Sequence, residues 1–129
     1  MSAREEAESF LRKAEEDLRA IRAMVSAEDF TDAIFGFHAQ QAVEKLLKAW
    51  LRSTGVDPPR THDLDFLFAL IERGGSAIPD CLAVLRDLSD FAVMFRYETL
   101  ELQRPVDRED VAQQVETLAE RVRAAVRVP

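Results

Sequence analysis

Two apolar seams at the ends of the chain constrain its fold most tightly. Ala7, Leu11, Ala14, Leu18, Ile21 and Val25 recur at spacings of 4, 3, 4, 3 and 4, and Val111, Val115, Leu118, Val122 and Ala125 recur at 4, 3, 4 and 3. At 100° per residue such spacing draws a narrow stripe down one side of an α-helix, and a strand pattern of period two cannot produce it. A helix with only a stripe must lay it against another helix, so both ends of the chain are committed to helix-on-helix packing. Ser2 with Glu5 forms an S-x-x-E capping box for the first helix, and Asp107 with Asp110 caps the last.

Between the seams, punctuation residues divide the chain. A second helix is predicted from about Phe30 to Arg52, apolar on several sides in its first turns (Phe30, Ile34, Phe35, Phe37) and two-faced after Phe37, so its first half is expected inside and its second half at a surface or groove. Thr54-Gly55 and Pro58-Pro59 end it. A third helix follows, with Thr61 as N-cap, Asp63 in its first turn and the face Leu64, Leu67, Phe68 and Ile71, closing at Gly74-Gly75. A fourth starts near Pro79 with Cys81, Val84, Leu85, Leu88, Ala92 and Phe95 on its apolar side, which makes Cys81 a core residue. Residues 97–106 read as an irregular connection. With short links, no alternating strand pattern and no repeat, the expectation is all-α: an up-and-down bundle of four to five antiparallel helices forming a single domain over residues 1–129.

Composition narrows the function. The chain holds 17 Lys and Arg against 24 Asp and Glu, a net charge of −7, which opposes indiscriminate binding to nucleic acid but leaves room for a local cationic site. A single cysteine rules out an internal disulfide and a cysteine-based zinc site. Two histidines without H-x-x-x-H spacing, and Gly74-Gly75 without a following Lys-Ser/Thr, give neither a metal site nor a phosphate loop, so no cofactor is expected. Acidic residues near the N-terminus and the lack of a long apolar run point to a cytoplasmic protein with no membrane segment.

The exception to the acidic balance lies in the second helix. His38, Gln41, Lys45, Lys48 and Arg52 fall in an arc of about 80° on the wheel, opposite Ala39, Val43, Leu46, Leu47 and Trp50. Read plainly, this is a solvated face. His38 and Gln41, bordered by Phe35 and Phe37, are instead expected to be half-buried and hydrogen-bonded to a neighbouring carbonyl or side chain. His62 can pack against the preceding loop, Asp63 and Asp65 serve as helix-start charges, and Arg96, on the apolar side of the fourth helix, needs water, a carboxylate or a ligand.

Three segments in order, F-H-A-Q-Q-A-V-E-K-L-L-K-A at 37–49, T-H-D-L at 61–64 and R-Y-E at 96–98, resemble the HEPN domains (higher eukaryotes and prokaryotes nucleotide-binding), many of which have Arg-Tyr-Pro in the third position. The resemblance spans nearly the whole chain. It implies a four- to five-helix bundle, commonly a homodimer, that works with RNA or nucleotides, often beside a minimal nucleotidyltransferase as a toxin–antitoxin pair. The ribonuclease branch carries Arg-x(4–6)-His, but after Arg96 the required positions hold Glu101, Leu102 and Gln103, and no histidine follows His62. The chain therefore reads as a noncatalytic binding module for a nucleotide, an RNA or a nucleotidyltransferase partner. Lys45, Lys48 and Arg96 would contact phosphate, with His38, Gln41, His62 and Tyr97 supplying hydrogen bonds or stacking in the groove between helices two, three and four. Two alternatives stand beside it: a metal-independent ribonuclease using Arg96 with His38 or His62, and a purely structural dimerisation module.

Overall fold

The computed structural model describes residues 1–91 and 106–127, and among these the chain is helical with no strand. Helix α1 spans Ala3–Met24, α2 Asp32–Ser53, α3 Leu64–Arg73, and α4 Arg108–Arg127; a 3-10 helix, η1, occupies Asp80–Leu88. The result is an all-α bundle built around α2, which packs against all the others.

Local chemistry sets the ends. The Ser2 hydroxyl oxygen accepts from the Glu5 N–H at 3.1 Å, so the Ser2 cap forms as expected, while the Glu5 carboxylate accepts from the Ser2 hydroxyl and not from the Ser2 backbone N–H that a full capping box would use. Thr31 caps α2 by accepting from Ile34 N–H at 3.2 Å, which leaves Phe30 outside the helix and exposed, not part of a buried start. At α3 the cap is Asp63, accepting from Phe66 N–H at 3.2 Å; Thr61 instead receives the Asp63 N–H at 3.1 Å. Asp outcompetes Thr because its carboxylate also meets the positive helix end. Gly55 and Gly75, with φ of 86° and 95°, turn the chain out of α2 and α3 through the left-handed region that other residues avoid.

The α1 seam is buried as predicted from Ala7 to Ile21, ending on Met24 instead of Val25, and the α3 face Leu64, Leu67, Phe68 and Ile71 is buried in full. Helices α1 and α4 are antiparallel, since Arg22 meets Glu116 and Arg123 meets Glu15 at 3.1 Å. Burial alone would push the Glu116 carboxyl up, but hydrogen bonds from Arg22 and Arg123, with their charges, outweigh it and hold that group below the usual carboxylate range.

Two further expectations are corrected. In η1 the buried residues are Leu82, Leu85 and Leu88, and Cys81 is exposed. With three residues per turn, positions 82, 85, 88 and 91 align, and Phe91 is indeed buried below them, whereas the α-helical spacing assumed from the sequence would have aligned Cys81 with Leu85 and Leu88. In α2 the second half is the more enclosed: Val43, Glu44, Leu46, Leu47, Ala49, Trp50 and Leu51 are all buried because α1, α3 and α4 cover that length from three sides. At its first half Gly36 is the close contact, for a Cβ there would lie 2.3 Å from the Phe91 ring.

Arg108 ties the α1–α2 connection to α4. Its guanidinium donates to Asp32 Oδ1 at 2.8 Å and to the carbonyls of Met24 (2.8 Å), Ala27 (3.1 Å) and Phe30 (2.5 Å), and lies 5.5 Å from the Phe35 ring centre. The Met24 and Ala27 carbonyls also accept backbone N–H groups, from Ala27 and Phe30, so the planar cation adds a second donor to each and supplies the donor that the Phe30 carbonyl lacks.

Candidate functional site

The polar stripe of α2 separates into two rows with different partners. His38, Lys45 and Arg52 lie seven residues apart and face α1. Asp17 takes both His38 Nδ1 at 3.2 Å and Lys45 Nζ at 2.6 Å, and Glu6 takes Arg52 Nε at 2.7 Å. As α2 numbers rise, α1 numbers fall, so these pairs form an ionic border along an antiparallel helix interface. The stripe was expected to face away from the packing seam; instead this row flanks α1, and each cation in it already has a carboxylate. The half-burial expected of His38 is present, and its partner is the Asp17 side chain on a neighbouring helix.

The second row is a connected cluster around Glu44, whose side chain is 7% exposed. Its Oε1 accepts from Gln40 Nε2 at 3.1 Å and meets His62 Nδ1 at 2.6 Å, and its Oε2 takes Lys48 Nζ at 3.2 Å. Gln41 extends the chain by donating to Gln40 Oε1 at 2.7 Å. The connection 54–63 carries the backbone back along α2 until His62 reaches Glu44, and the Asp63 cap then starts α3 at that place.

Of the residues predicted for a site, Gln41, Lys48 and His62 come together here, while His38 and Lys45 meet on the α1 side through Asp17. Arg96 and Tyr97 lie outside the described residues. Sequence reasoning missed Glu44, Gln40, Asp17 and Glu6. The first two carried a signal: on the wheel they share an arc with Leu47 and Leu51, so a helix burying that arc must bury a carboxylate and an amide with it.

The chemistry of the cluster follows from its burial. An ionised carboxylate deep in a bundle requires donors at each oxygen, and Glu44 has them in Lys48, Gln40 and His62. With Glu44 ionised, the proton between it and His62 sits on Nδ1, which fixes the ring's tautomer and orientation. His62 itself is 55% exposed, so the remaining nitrogen, Nε2, is left for an outside group: as acceptor when the ring is neutral, as donor when it is protonated. Among the described residues no group of His, Cys, Asp and Glu could hold a metal ion, and no helix is long and apolar enough to cross a membrane.

Compared with known proteins, the sequence matches the family model described as HEPN domain over residues 7–128. No curated protein and no solved structure matches it.

Proposed function

Because the chain belongs to the HEPN family, a nucleotide-binding and ribonuclease-like helical family, we propose that it is a noncatalytic HEPN module that binds the phosphate-bearing end of a nucleotide or RNA at the α2–α3 cluster. The observation that carries this reading is the Glu44 network, which holds a half-exposed imidazole in one orientation beside Lys48. A buried carboxylate with its satellites seldom stabilises a bundle more than apolar packing of the same volume would, so its presence fits a site better than a scaffold. His62 Nε2 and Lys48 Nζ supply the contacts to phosphate and Gln41 a further hydrogen bond, and Arg96 and Tyr97, which lie outside the described residues, stand as further contacts on the sequence reading alone. His38 and Lys45 act at its margin, since Asp17 already engages both.

A toxin–antitoxin-type pairing with a minimal nucleotidyltransferase, and a homodimeric state, accompany this reading by family resemblance. Calorimetry with ATP, GTP, a short RNA and a minimal nucleotidyltransferase tests it together with His62→Ala. Binding of a nucleotide or RNA that weakens about tenfold in the variant supports the reading. Heat from none of the four refutes it.

One observation favours a second reading, a metal-independent ribonuclease. An imidazole oriented by a buried carboxylate with Nε2 outward is what removal of a 2′-hydroxyl proton requires, and it singles out His62 over His38, whose carboxylate is shared with Lys45. Arg96→Ala and His62→Ala should then each abolish cleavage of a mixed RNA pool. An uncut pool with the unaltered protein, with and without metal, removes this reading.

A further inference from the structure

At the far end of α2 from the Glu44 cluster, Trp50 is 3% exposed, yet its indole N–H finds no acceptor among the described residues. Among the described residues the one buried side-chain polar atom without a partner is Gln114 Oε1, so the indole N–H is not sealed in the core and reaches solvent. What exposure the ring has opens on two adjoining clefts. The larger, about 250 Å³, is lined by Trp50, Ser76, Arg121, Ala124 and Ala125; the smaller, about 20 Å³, lies between Trp50 and the end of α3 at Ile71, Gly74 and Ser76.

Two more donors border the larger cleft. The Arg121 guanidinium lies 5.6 Å from the Trp50 ring centre and, unlike Arg22, Arg52, Arg86, Arg108 and Arg123, makes no ion pair or hydrogen bond among the described residues. That distance is within cation–π range, and the guanidinium N–H groups stay available. The Ser76 backbone N–H is used by the Ile71 carbonyl at 3.3 Å, but its hydroxyl makes no hydrogen bond among the described residues. The indole of Trp50, the guanidinium of Arg121 and the hydroxyl of Ser76 therefore line one cleft together with Ala124 and Ala125, whereas the Lys and Arg side chains of α2 are neutralised internally.

We propose that this cleft is a second ligand site, for a small oxyanion such as the carboxylate or phosphate group of a small molecule. Three donors without a carboxylate partner select an acceptor-only group, and the planar fork of Arg121 suits two oxygens on one centre. The volume falls below that of pockets that enclose a whole drug-sized ligand, so it fits the charged end of a molecule and not a complete nucleotide. This site stands apart from the Glu44 cluster and does not depend on it.

Trp50 is the chain's single tryptophan, so one indole resonance and one fluorophore report the cleft. The ¹⁵N-labelled protein is titrated with sodium benzoate, sodium acetate and sodium phosphate, each against sodium chloride at matched ionic strength. The expected result is a saturable downfield shift of the indole proton that chloride does not give. A response to benzoate or acetate assigns the site to carboxylates, and a response to phosphate alone assigns it to phosphoryl groups. Arg121→Gln, at an exposed position that should not disturb folding, is expected to raise the apparent Kd about tenfold, while Arg12→Gln, on exposed α1 surface, leaves it unchanged. No saturable shift with any of the three anions, or a shift that Arg121→Gln does not weaken, overturns the proposal. His62→Ala separates the two sites: it should reduce the response at the Glu44 cluster and leave the indole shift intact.

Discussion

Replacing Glu44 by Ala is the most direct test of how the α2–α3 cluster is built. The substitution removes one acceptor from three donors. Lys48, whose side chain is 13% exposed, loses its carboxylate, and breaking a buried pair in this way costs about 3–5 kcal/mol. Gln40, fully buried, is left with an unsatisfied amide, a further cost of about 1–3 kcal/mol if nothing relaxes. These terms overlap, and Lys48 can swing its ammonium toward water, so a total near 4 kcal/mol is expected. For a chain of this length that lowers Tm by roughly 10–20 °C. Glu44→Gln keeps an acceptor and should cost about 1–2 kcal/mol, and His62→Ala about 1 kcal/mol because the ring is half in solvent. Urea denaturation monitored by circular dichroism gives all three values, and the Glu44→Gln/His62→Ala double-mutant cycle gives the coupling, expected between about 0.5 and 1.5 kcal/mol. A loss under about 1 kcal/mol for Glu44→Ala, or equal losses for Glu44→Ala and His62→Ala, would refute the view that a buried carboxylate organises the cluster.

Other parts of the molecule give equally checkable outcomes. Arg108→Ala removes the ion pair to Asp32 and leaves the Phe30 carbonyl without a donor, while the Met24 and Ala27 carbonyls keep their backbone donors, so a loss of about 2–3 kcal/mol is expected in chemical denaturation, and Arg108→Lys should recover less than half of it because a point charge cannot replace the planar fork. Gly36→Ala gains about 0.5–1 kcal/mol of helix propensity but drives a methyl into Phe91, for a net loss of about 1–2 kcal/mol by thermal melting; a stabilised variant would show that the contact is loose. Leu85→Ala should cost about 2–5 kcal/mol while Cys81→Ser costs about nothing, and Cys81 should react with a thiol reagent in the native protein; the reverse order would restore the α-helical register. Because the Glu116 carboxyl is held below its usual value in the folded state, the stability it contributes is present above pH 4.5 and falls as pH drops through its folded pKa. Glu116→Gln should flatten the acid limb of a stability–pH curve without changing it near neutrality in slope.

The parts of the fold legible in the sequence are those where one local rule acts alone. The α1 and α3 faces followed from helical period, and the Ser2 cap from its spacing, because no distant residue competes for those positions. The register of η1 was not legible: Cys81, Leu82, Leu85 and Leu88 satisfy both a 3.6 and a 3.0 repeat in part, and only the packing of Phe91 beneath them selects the tighter turn. The burial of the second half of α2 likewise depends on three helices that converge on it from elsewhere in the chain. At the site, residue types were legible and partners were not. His38, Lys45 and Arg52 stand out as a cationic row, but that Asp17 and Glu6 would meet them depends on the antiparallel register of α1, which the α1 sequence presents only as two more acids on a solvated back.

That division of the stripe changes what its lysines can report. Lys45 and Lys48 are three residues apart and look equivalent on a wheel, yet one is bound to α1 through Asp17 and the other to the α2–α3 cluster through Glu44. Charge reversal at Lys45 would set a second carboxylate against Asp17 and weaken the α1–α2 border, so lost ligand binding in that variant would follow from a loosened bundle as readily as from a lost contact. His62 is free of this ambiguity. Its ring is anchored at one nitrogen, exposed on its other side, and carried on the connection into α3 and not on a packed helix face, so its removal touches the proposed ligand side of the cluster first and the bundle last.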